Sequence, residues 1–335
     1  MEKKNDPIEE IWNKLGESKR ILIPLHPKPD GDSLGSCAAM KDFLEKEGKT
    51  VFLISQDELS DNLKEFSFSK RVEFGKGLGD FNLDDFDALI FLDHGTLAGH
   101  PEKIIGKEFP EKLCVINIDH HHTNDYFGDL NYVDEGSPSC CSVLFNLFED
   151  RESEFDDELT RMLLLGICTD TNFGEYGNSA DSFEKMALLI KKGRINFQKE
   201  FMIPILKSNP WILKKLHGIL LSNMQKTTIS GKTIVYSFAT KEDAERHGWN
   251  PSDMRLGILC LQDIKDTDIV FTLTELEDNI KGSFRSRGID TTPFSKEFGG
   301  GGHKEASSFY VEKMPMGEAV NKVLEMIEKI GIHKA

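Results

Sequence analysis

Ile21-Leu-Ile-Pro-Leu25 runs straight into His26-Pro-Lys-Pro-Asp30-Gly-Asp32-Ser33, and this stretch decides the fold. A short, unbroken apolar run ended by a Pro- and Gly-bearing loop reads as a buried strand. Three more runs of this kind follow: Val51-Phe-Leu-Ile54, Ala88-Leu-Ile-Phe-Leu92 and Cys114-Val-Ile-Asn-Ile118. Between the first two, Ser36–Glu47 places Cys37, Met40, Phe43 and Leu44 at helical spacing, and Gly48 follows as a stop. Strands alternating with helices predict an α/β fold on a doubly wound parallel sheet. In such a sheet, ligands bind outside the carboxyl ends of the strands.

Downstream, helical patterns cover Asp157–Ile167 and Ser179–Lys192, and Gly193 marks a boundary. A connecting region with Pro204, Pro210 and a helix near Trp211–Met224 leads to a second unit. There Lys232–Phe238, Asp268–Glu275 and Asn279–Arg285 read as strands, and Gly317–Lys329 as a closing amphipathic helix. The expected organisation is a first domain over 1–192, a helical linker over 193–224 and a smaller α/β domain over 225–335. A length of 335 residues suits two domains, each with its own core.

The formal net charge is −16, but its distribution is uneven. Residues 201–335 hold 18 Lys+Arg and 17 Asp+Glu, whereas residues 1–200 hold 23 and 40. Clustered acid repels phosphate unless divalent cations reverse the local field. No apolar run approaches the roughly 20 residues that span a bilayer, and Met1-Glu-Lys-Lys-Asn-Asp is no secretory leader, so a cytosolic protein is expected. The six Cys form no CxxC pair and most lie in apolar runs, which predicts buried, structural thiols.

Acid- and His-bearing segments directly follow these runs. His26, Asp30 and Asp32 follow the first, Asp93 the third, and Asp119-His120-His121-His122 the fourth, while Asp170 follows the helix Leu163–Cys168. Topology alone brings three of the segments to one rim. Pro27 and Pro29 argue against a helix through His26–Asp30, so an extended loop bending around an ion is expected. In an extended chain Asp30 and Asp32 face the same way, about 6–7 Å apart at ~3.3 Å per residue. Each could then serve a different ion of a pair about 3.5–4 Å apart, with Asp93 as the bridge. Any one Asp at a strand end is ordinarily a cap or turn residue; several converging carboxylates and imidazoles call for a cation. His94 and His100 read as surface or supporting residues. A Walker sequence, GxGxxG, an EF-hand loop and a G-x-S-x-G elbow are all absent.

Together, His26-x-x-x-Asp30-x-Asp32, Asp93, Asp119-His120-His121 and Asp170 resemble the four motifs of the DHH phosphoesterases. Ser283-Phe-Arg-Ser286 and Gly299-Gly-Gly-Gly-His303 resemble the C-terminal domain that accompanies DHH in the nanoRNase/pAp-phosphatase (NrnA-like) and RecJ-like branches. The short length points to the NrnA-like branch. The resemblance implies a two-ion site, usually manganese, with magnesium as the alternative. By position, His26, Asp30 and Asp93 would hold one ion, and Asp32, Asp93, His120 and Asp170 the other. His121, with Asp119 in the same motif, would lie beside the phosphate or leaving group as the catalytic pair. Mixed Asp/His ligation without Cys suits Mn²⁺ or Mg²⁺. Such a pair activates water for in-line attack at phosphorus, and His121 can protonate the departing oxygen.

In the second domain, Arg285 and Arg287 at i, i+2 would share a strand face and read phosphate, with Ser286 between them. Gly300, Gly301, Gly302 and His303 suggest backbone N–H groups brought close to a phosphate or base. The expected activity is hydrolysis of very short RNA to nucleoside monophosphates, and of 3′-phosphoadenosine 5′-phosphate, in a cleft between the domains. Rival readings are a linear or cyclic dinucleotide phosphodiesterase, a RecJ-like single-strand exonuclease, an inorganic polyphosphate hydrolase and a nucleotide sensor. No membrane partner is expected, and a homodimer is left open.

Overall fold

The first of the apolar runs forms β1 (Arg20–Pro24), whose Ile21, Leu22 and Ile23 are fully buried. In this computed structural model, residues 5–97, 109–175, 180–208, 211–248 and 257–332 are described, the side chain of His303 excepted. The chain divides into two compact units, Met1–Ser208 and Asn209–Ala335. The stretch expected as a linker is shared between them. A π-helix at Gln198–Lys207 lies in the first unit and α7 (Trp211–Ser222) in the second.

The first unit runs α1 (Ile8–Glu17), β1, α2 (Gly31–Lys46), β2 (Thr50–Ser55), α3 (Asp61–Lys64), β3 (Glu73–Phe74), β4 (Ala88–Leu92), β5 (Cys114–Asp119), β6 (Leu130–Val133), α4 (Cys140–Asp150), α5 (Asp157–Asp170) and α6 (Ala180–Lys192). All six strands are parallel, in the order β3-β2-β1-β4-β5-β6, so the α/β reading of the apolar runs holds. The order reverses between β1 and β4, and this switch point opens a crevice at the strands' carboxyl ends. Alternate residues feed the two faces of the sheet. Ile21, Ile23, Ile90, Leu92, Ile116 and Ile118 pack with α2, α4 and α5. Leu22, Leu89, Phe91 and Val115 pack with Leu78, Phe86 and Leu113 on the other face.

One expectation about the loop after β1 is overturned. The helix begins at Gly31 rather than Ser36, so Asp30 and Asp32 do not flank a glycine in extended chain. Asp30 is the N-cap, its Oδ1 accepting the N–H groups of Asp32 and Ser33 at 3.0 Å each. The cap satisfies N–H groups that a helix start leaves unpaired, and Pro29, which restricts only itself and Lys28, lies just outside the helix. The two carboxylates consequently diverge, the Asp30 side chain being 57% exposed and that of Asp32 fully buried.

The second unit runs α7, β7 (Gln225–Ile229), β8 (Lys232–Ala239), α8 (Lys241–His247), β9 (Ile269–Glu275), β10 (Asn279–Ser286), α9 (Thr292–Glu297), β11 (Gly301–His303), β12 (Ala306–Glu312) and α10 (Met316–Ile330). Its sheet has the order β11-β12-β10-β9-β8-β7, antiparallel except where β8 meets β9. Ala319, Val320, Val323, Met326 and Ile327 form a helical stripe on α10 that closes one face over Phe271, Phe284 and Phe309. Among the described residues, no helix is long and apolar enough to cross a membrane.

Candidate metal centre

Asp93 follows β4 with a φ of 60°, a left-handed conformation that costs a non-glycine residue of order 1–3 kcal/mol and concentrates at functional sites. The turn holds its carboxylate in the crevice between β1 and β4, with the side chain only 4% exposed. His26 Nε2 lies 3.4 Å from Asp93 Oδ2 and 3.5 Å from Asp30 Oδ1. On the other side, His120 Nε2 lies 3.4 Å from Asp93 Oδ1, 3.3 Å from Asp170 Oδ2 and 3.9 Å from Asp32 Oδ2. Asp93 thus stands between two groups, His26 with Asp30 and His120 with Asp32 and Asp170. Within each of the sets His26–Asp30–Asp93 and Asp32–His120–Asp170, one potential ligand atom per residue lies within 4.8 Å of the others.

Asp170 and Asp32 meet because α5 and α2 pack with almost no spacer. A Cβ on Gly31 would come within 2.3 Å of Thr169 Oγ1, and one on Gly35 within 2.4 Å of the Met162 carbonyl. At Gly166 a Cβ would stand 2.2 Å from Asp32 Oδ1 itself. Asp32 is then held by both oxygens: Cys140 N–H donates to Oδ2 at 2.6 Å and Cys141 N–H to Oδ1 at 2.9 Å. These are the first residues of α4, so the carboxylate sits at a helix N-terminus, where negative charge is favoured.

His121 falls in a third such set, with Asp93, Asp119 and His120. Its Nδ1 is 2.8 Å from Asp119 Oδ1 and 3.8 Å from Asp93 Oδ1. Asp119, the last residue of β5, accepts at its other oxygen from Asn124 Nδ2 at 2.6 Å. Asn124 Oδ1 in turn accepts the Tyr126 N–H at 2.6 Å, and Asn117 lies 2.9 Å away on the same network.

The electrostatics describe a site short of positive charge. Burial, then the Asp93 charge, pushes the Asp32 carboxyl up to about 7. Burial, then Asp32 and Asp93, raises Asp170 well above the usual carboxylate range. Burial works against protonation of His26 and His120, but the carboxylates outweigh it and hold them up at about 11 and about 10. Asp93 goes the other way: burial opposes its charge, yet His120 and His26 hold it below the ordinary range. Its Oδ1 is buried and, among the described residues, makes no hydrogen bond of good geometry, the His120 imidazole standing 3.4 Å away. A buried lone pair facing imidazoles and carboxylates fits a divalent cation, and the all-O/N donor set fits Mn²⁺ or Mg²⁺. Burial pushes up the thiols of Cys37, Cys140, Cys141 and Cys168, in keeping with structural cysteines.

The structure therefore brings together His26, Asp30, Asp32, Asp93, His120 and Asp170, with Asp119 and His121 at the edge. His94 is buried rather than at the surface, its Nδ1 2.8 Å from the Leu92 carbonyl and its ring edge-on to Phe91. His100 lies outside the described residues. In the second unit, Arg285 Nη1 donates to the Phe284 carbonyl and Ser286 Oγ to that of Ile289. Arg287 stands past the end of β10, donating to the Gln262 carbonyl, so the strand face expected for the two arginines stops short of it. Gly300 and Gly302 lack side chains for the sake of β12, since Cβ atoms there would meet Ser308 O at 2.1 Å and Ala306 O at 2.6 Å. Gly301 faces open space. The side chain of His303 lies outside the described residues.

Asn117, Asn124 and the start of α4 join the site without an expectation from sequence. Ser139-Cys-Cys-Ser-Val-Leu-Phe145 held a usable signal, a Ser before an apolar run. Ser139 is indeed the N-cap, accepting from Ser142 N at 3.0 Å.

Residues 20–167 match the DHH family, N-terminal domain, and residues 231–330 match the DHHA1 domain. A bifunctional oligoribonuclease and PAP phosphatase, NrnA, of Thermus thermophilus is 25% identical over 336 residues, covering 97% of both chains. The protein of the same name from Bacillus subtilis is 22% identical, over 92% of this chain and 95% of its own. Among solved structures, an exopolyphosphatase-related protein from Bacteroides fragilis has a TM-score of 0.85 at 23% identity, over 96% of each chain. That likeness concerns the fold.

Proposed function

We propose that this chain, which belongs to the DHH family of phosphoester hydrolases, cleaves short oligoribonucleotides to nucleoside 5′-monophosphates and removes a phosphate from 3′-phosphoadenosine 5′-phosphate. The observation that carries the reading is the meeting of six Asp and His side chains around the buried carboxylate of Asp93. The substrate class is supported by the relatives from Thermus thermophilus and Bacillus subtilis, which are similar over nearly the whole chain.

In this reading His26, Asp30 and Asp93 would hold one divalent ion, and Asp32, Asp93, His120 and Asp170 a second, Mn²⁺ by preference. When bound, such a pair supplies an activated water and neutralises charge on the phosphate oxygens. The chain's own part is orientation and proton transfer. Asp119 fixes His121 through Nδ1, which leaves Nε2 as the atom that passes a proton to the departing oxygen. Burial disfavours the charged imidazole of His121, but Asp119 outweighs it and raises the ring's proton affinity, the direction that this role needs. From the second unit, Arg285 and Arg287 would grip a terminal phosphate, with Ser286, Gly300, Gly301, Gly302 and His303 completing the nucleotide contacts. A short-RNA substrate puts the work in the cytosol.

The test is a panel of di- to pentaribonucleotides, 3′-phosphoadenosine 5′-phosphate, cyclic dinucleotides and long single-stranded DNA, each with Mn²⁺ and with EDTA. The reading expects Mn²⁺-dependent release of nucleoside 5′-monophosphates from the short RNAs and of phosphate from the bisphosphate. Turnover of long DNA alone, or turnover unaffected by EDTA, contradicts it.

A further inference from the structure

β12 and β10 pair antiparallel, with Tyr310 opposite Lys281, Ser308 opposite Ser283 and Ala306 opposite Arg285. Residues directly opposite in such a pair point to the same side of the sheet. The reverse side takes Ile280, Phe284, Phe309 and Val311 into the core. Gly282 belongs to that reverse side and makes room for the Phe309 ring, which a Cβ there would meet at 2.1 Å. Toward β8 and β9 the Tyr310 side is also closed, since Val235 and Val270 pack on Ile258 and Leu261. On β12 it is exposed at Ser308 and at Tyr310, which is 53% exposed, while Lys281, Ser283 and Arg285 of β10 are half-buried.

The company of this ring decides what it is for. Protein-docking surfaces surround an exposed aromatic with apolar residues and deplete lysine. Tyr310 instead has Lys281 across the strand pair and the Ser283 and Ser308 hydroxyls in the next row, with Glu312 the acidic residue farther along β12. Aromatic rings on sheets, with cations beside them, hold single-stranded nucleic acid by base stacking and phosphate contact. Lys281 and Arg285 are four residues apart on β10, about 13 Å at ~3.3 Å per residue. Two cations that far apart on one face suit a ligand with phosphates in series.

We propose that Tyr310 is a stacking platform for a nucleobase of the oligoribonucleotide, with Lys281 against the neighbouring phosphate. The inference rests on the substrate class above and sharpens it. With Arg285 on the terminal phosphate, a mononucleotide stops short of Tyr310 and an oligomer reaches it.

The experiment compares wild type, Tyr310→Ala and Tyr310→Phe with a pentariboadenylate and with 3′-phosphoadenosine 5′-phosphate. Binding of the 5′-labelled pentamer is measured in EDTA by fluorescence anisotropy, alongside Mn²⁺-dependent kinetics. Loss of one stacked base weakens pentamer binding roughly five- to hundredfold, so Tyr310→Ala raises KM for the pentamer by that factor with kcat held. KM for the bisphosphate stays within twofold of wild type, and Tyr310→Phe behaves as wild type on both. An unchanged pentamer affinity in Tyr310→Ala, an equal shift for the bisphosphate, or no pentamer binding by wild type overturns the proposal. Wild type that binds the pentamer through Tyr310 but turns over neither substrate overturns the hydrolase reading instead.

Discussion

Asp32 accepts the backbone N–H groups of Cys140 and Cys141 through its two carboxylate oxygens, at 2.6 and 2.9 Å. One side chain therefore joins the second residue of α2 to the first turn of α4, and turns its remaining lone pairs toward His120. The centre and the helix packing depend on the same carboxylate.

Replacing Asp32 by Ala leaves two buried N–H groups without an acceptor. Each such orphan costs about 1–3 kcal/mol. The metal-free Asp32→Ala protein should unfold at a distinctly lower urea concentration, and its Mn²⁺-dependent activity should vanish. An unchanged urea midpoint contradicts the bridging role.

Gly166 is the second dependency, because an added Cβ would lie 2.2 Å from Asp32 Oδ1 and 2.3 Å from Cys141 Sγ. Gly166→Ala should push α5 off α2, destabilise the fold by about 1–3 kcal/mol and separate Asp170 from Asp32. Gly218, within α7, has nothing within 4 Å of a built Cβ. Gly218→Ala should stabilise by roughly 0.4–1 kcal/mol through the unfolded chain. Thermal melts of the two variants should move in opposite directions; a shared direction goes against the packing argument.

Proton release follows from the imidazoles. In the metal-free protein His26 and His120 are held up at about 11 and about 10, so both carry a proton at neutral pH. A cation takes the neutral imidazole, and raising the pH therefore favours binding. Mn²⁺ added in weak buffer at pH 7 should acidify the solution, and its affinity should rise about tenfold or more per pH unit between 6 and 8. A pH-independent affinity is the contrary result.

His121 and its support should act on turnover rather than on metal loading. His121→Ala should lower kcat by about 10²–10⁴, the usual scale for a lost general acid, while bound Mn²⁺ per chain is unchanged. Asn124→Ala removes the 2.6 Å bond to Asp119 and should lower kcat by a smaller factor with KM unchanged. Loss of bound metal in either variant would reassign His121 to the ion itself.

Most of the sheet was legible because its strands are buried on both faces and so read as unbroken apolar runs, as in Ala88–Leu92. The rim followed from the sheet, since Asp93 and Asp119 end their runs. What escaped the sequence was set by long-range pairing. Leu130-Asn-Tyr-Val133 is only four residues long, buries a polar Asn131, and is made a strand by Asp119 and its neighbours on β5. The start of α2 at Gly31 depends on the cap bonds of Asp30, just beyond the reach of Pro29. Gly300 and Gly302 read as a ligand loop in one dimension; their close approach to β12 is set by pairing that the sequence does not show. Asn124 has no local pattern at all; its partner Asp119 lies five residues away across a turn.

The central claim is that six scattered side chains hold two cations, with Asp93 between them. Anomalous diffraction at the manganese edge, from crystals grown with Mn²⁺, reads this directly. Two peaks are expected about 3.5–4 Å apart, flanking the Asp93 carboxylate, one against His26 and Asp30 and the other against Asp32, His120 and Asp170. A single peak, or two that leave Asp93 outside, would contradict it.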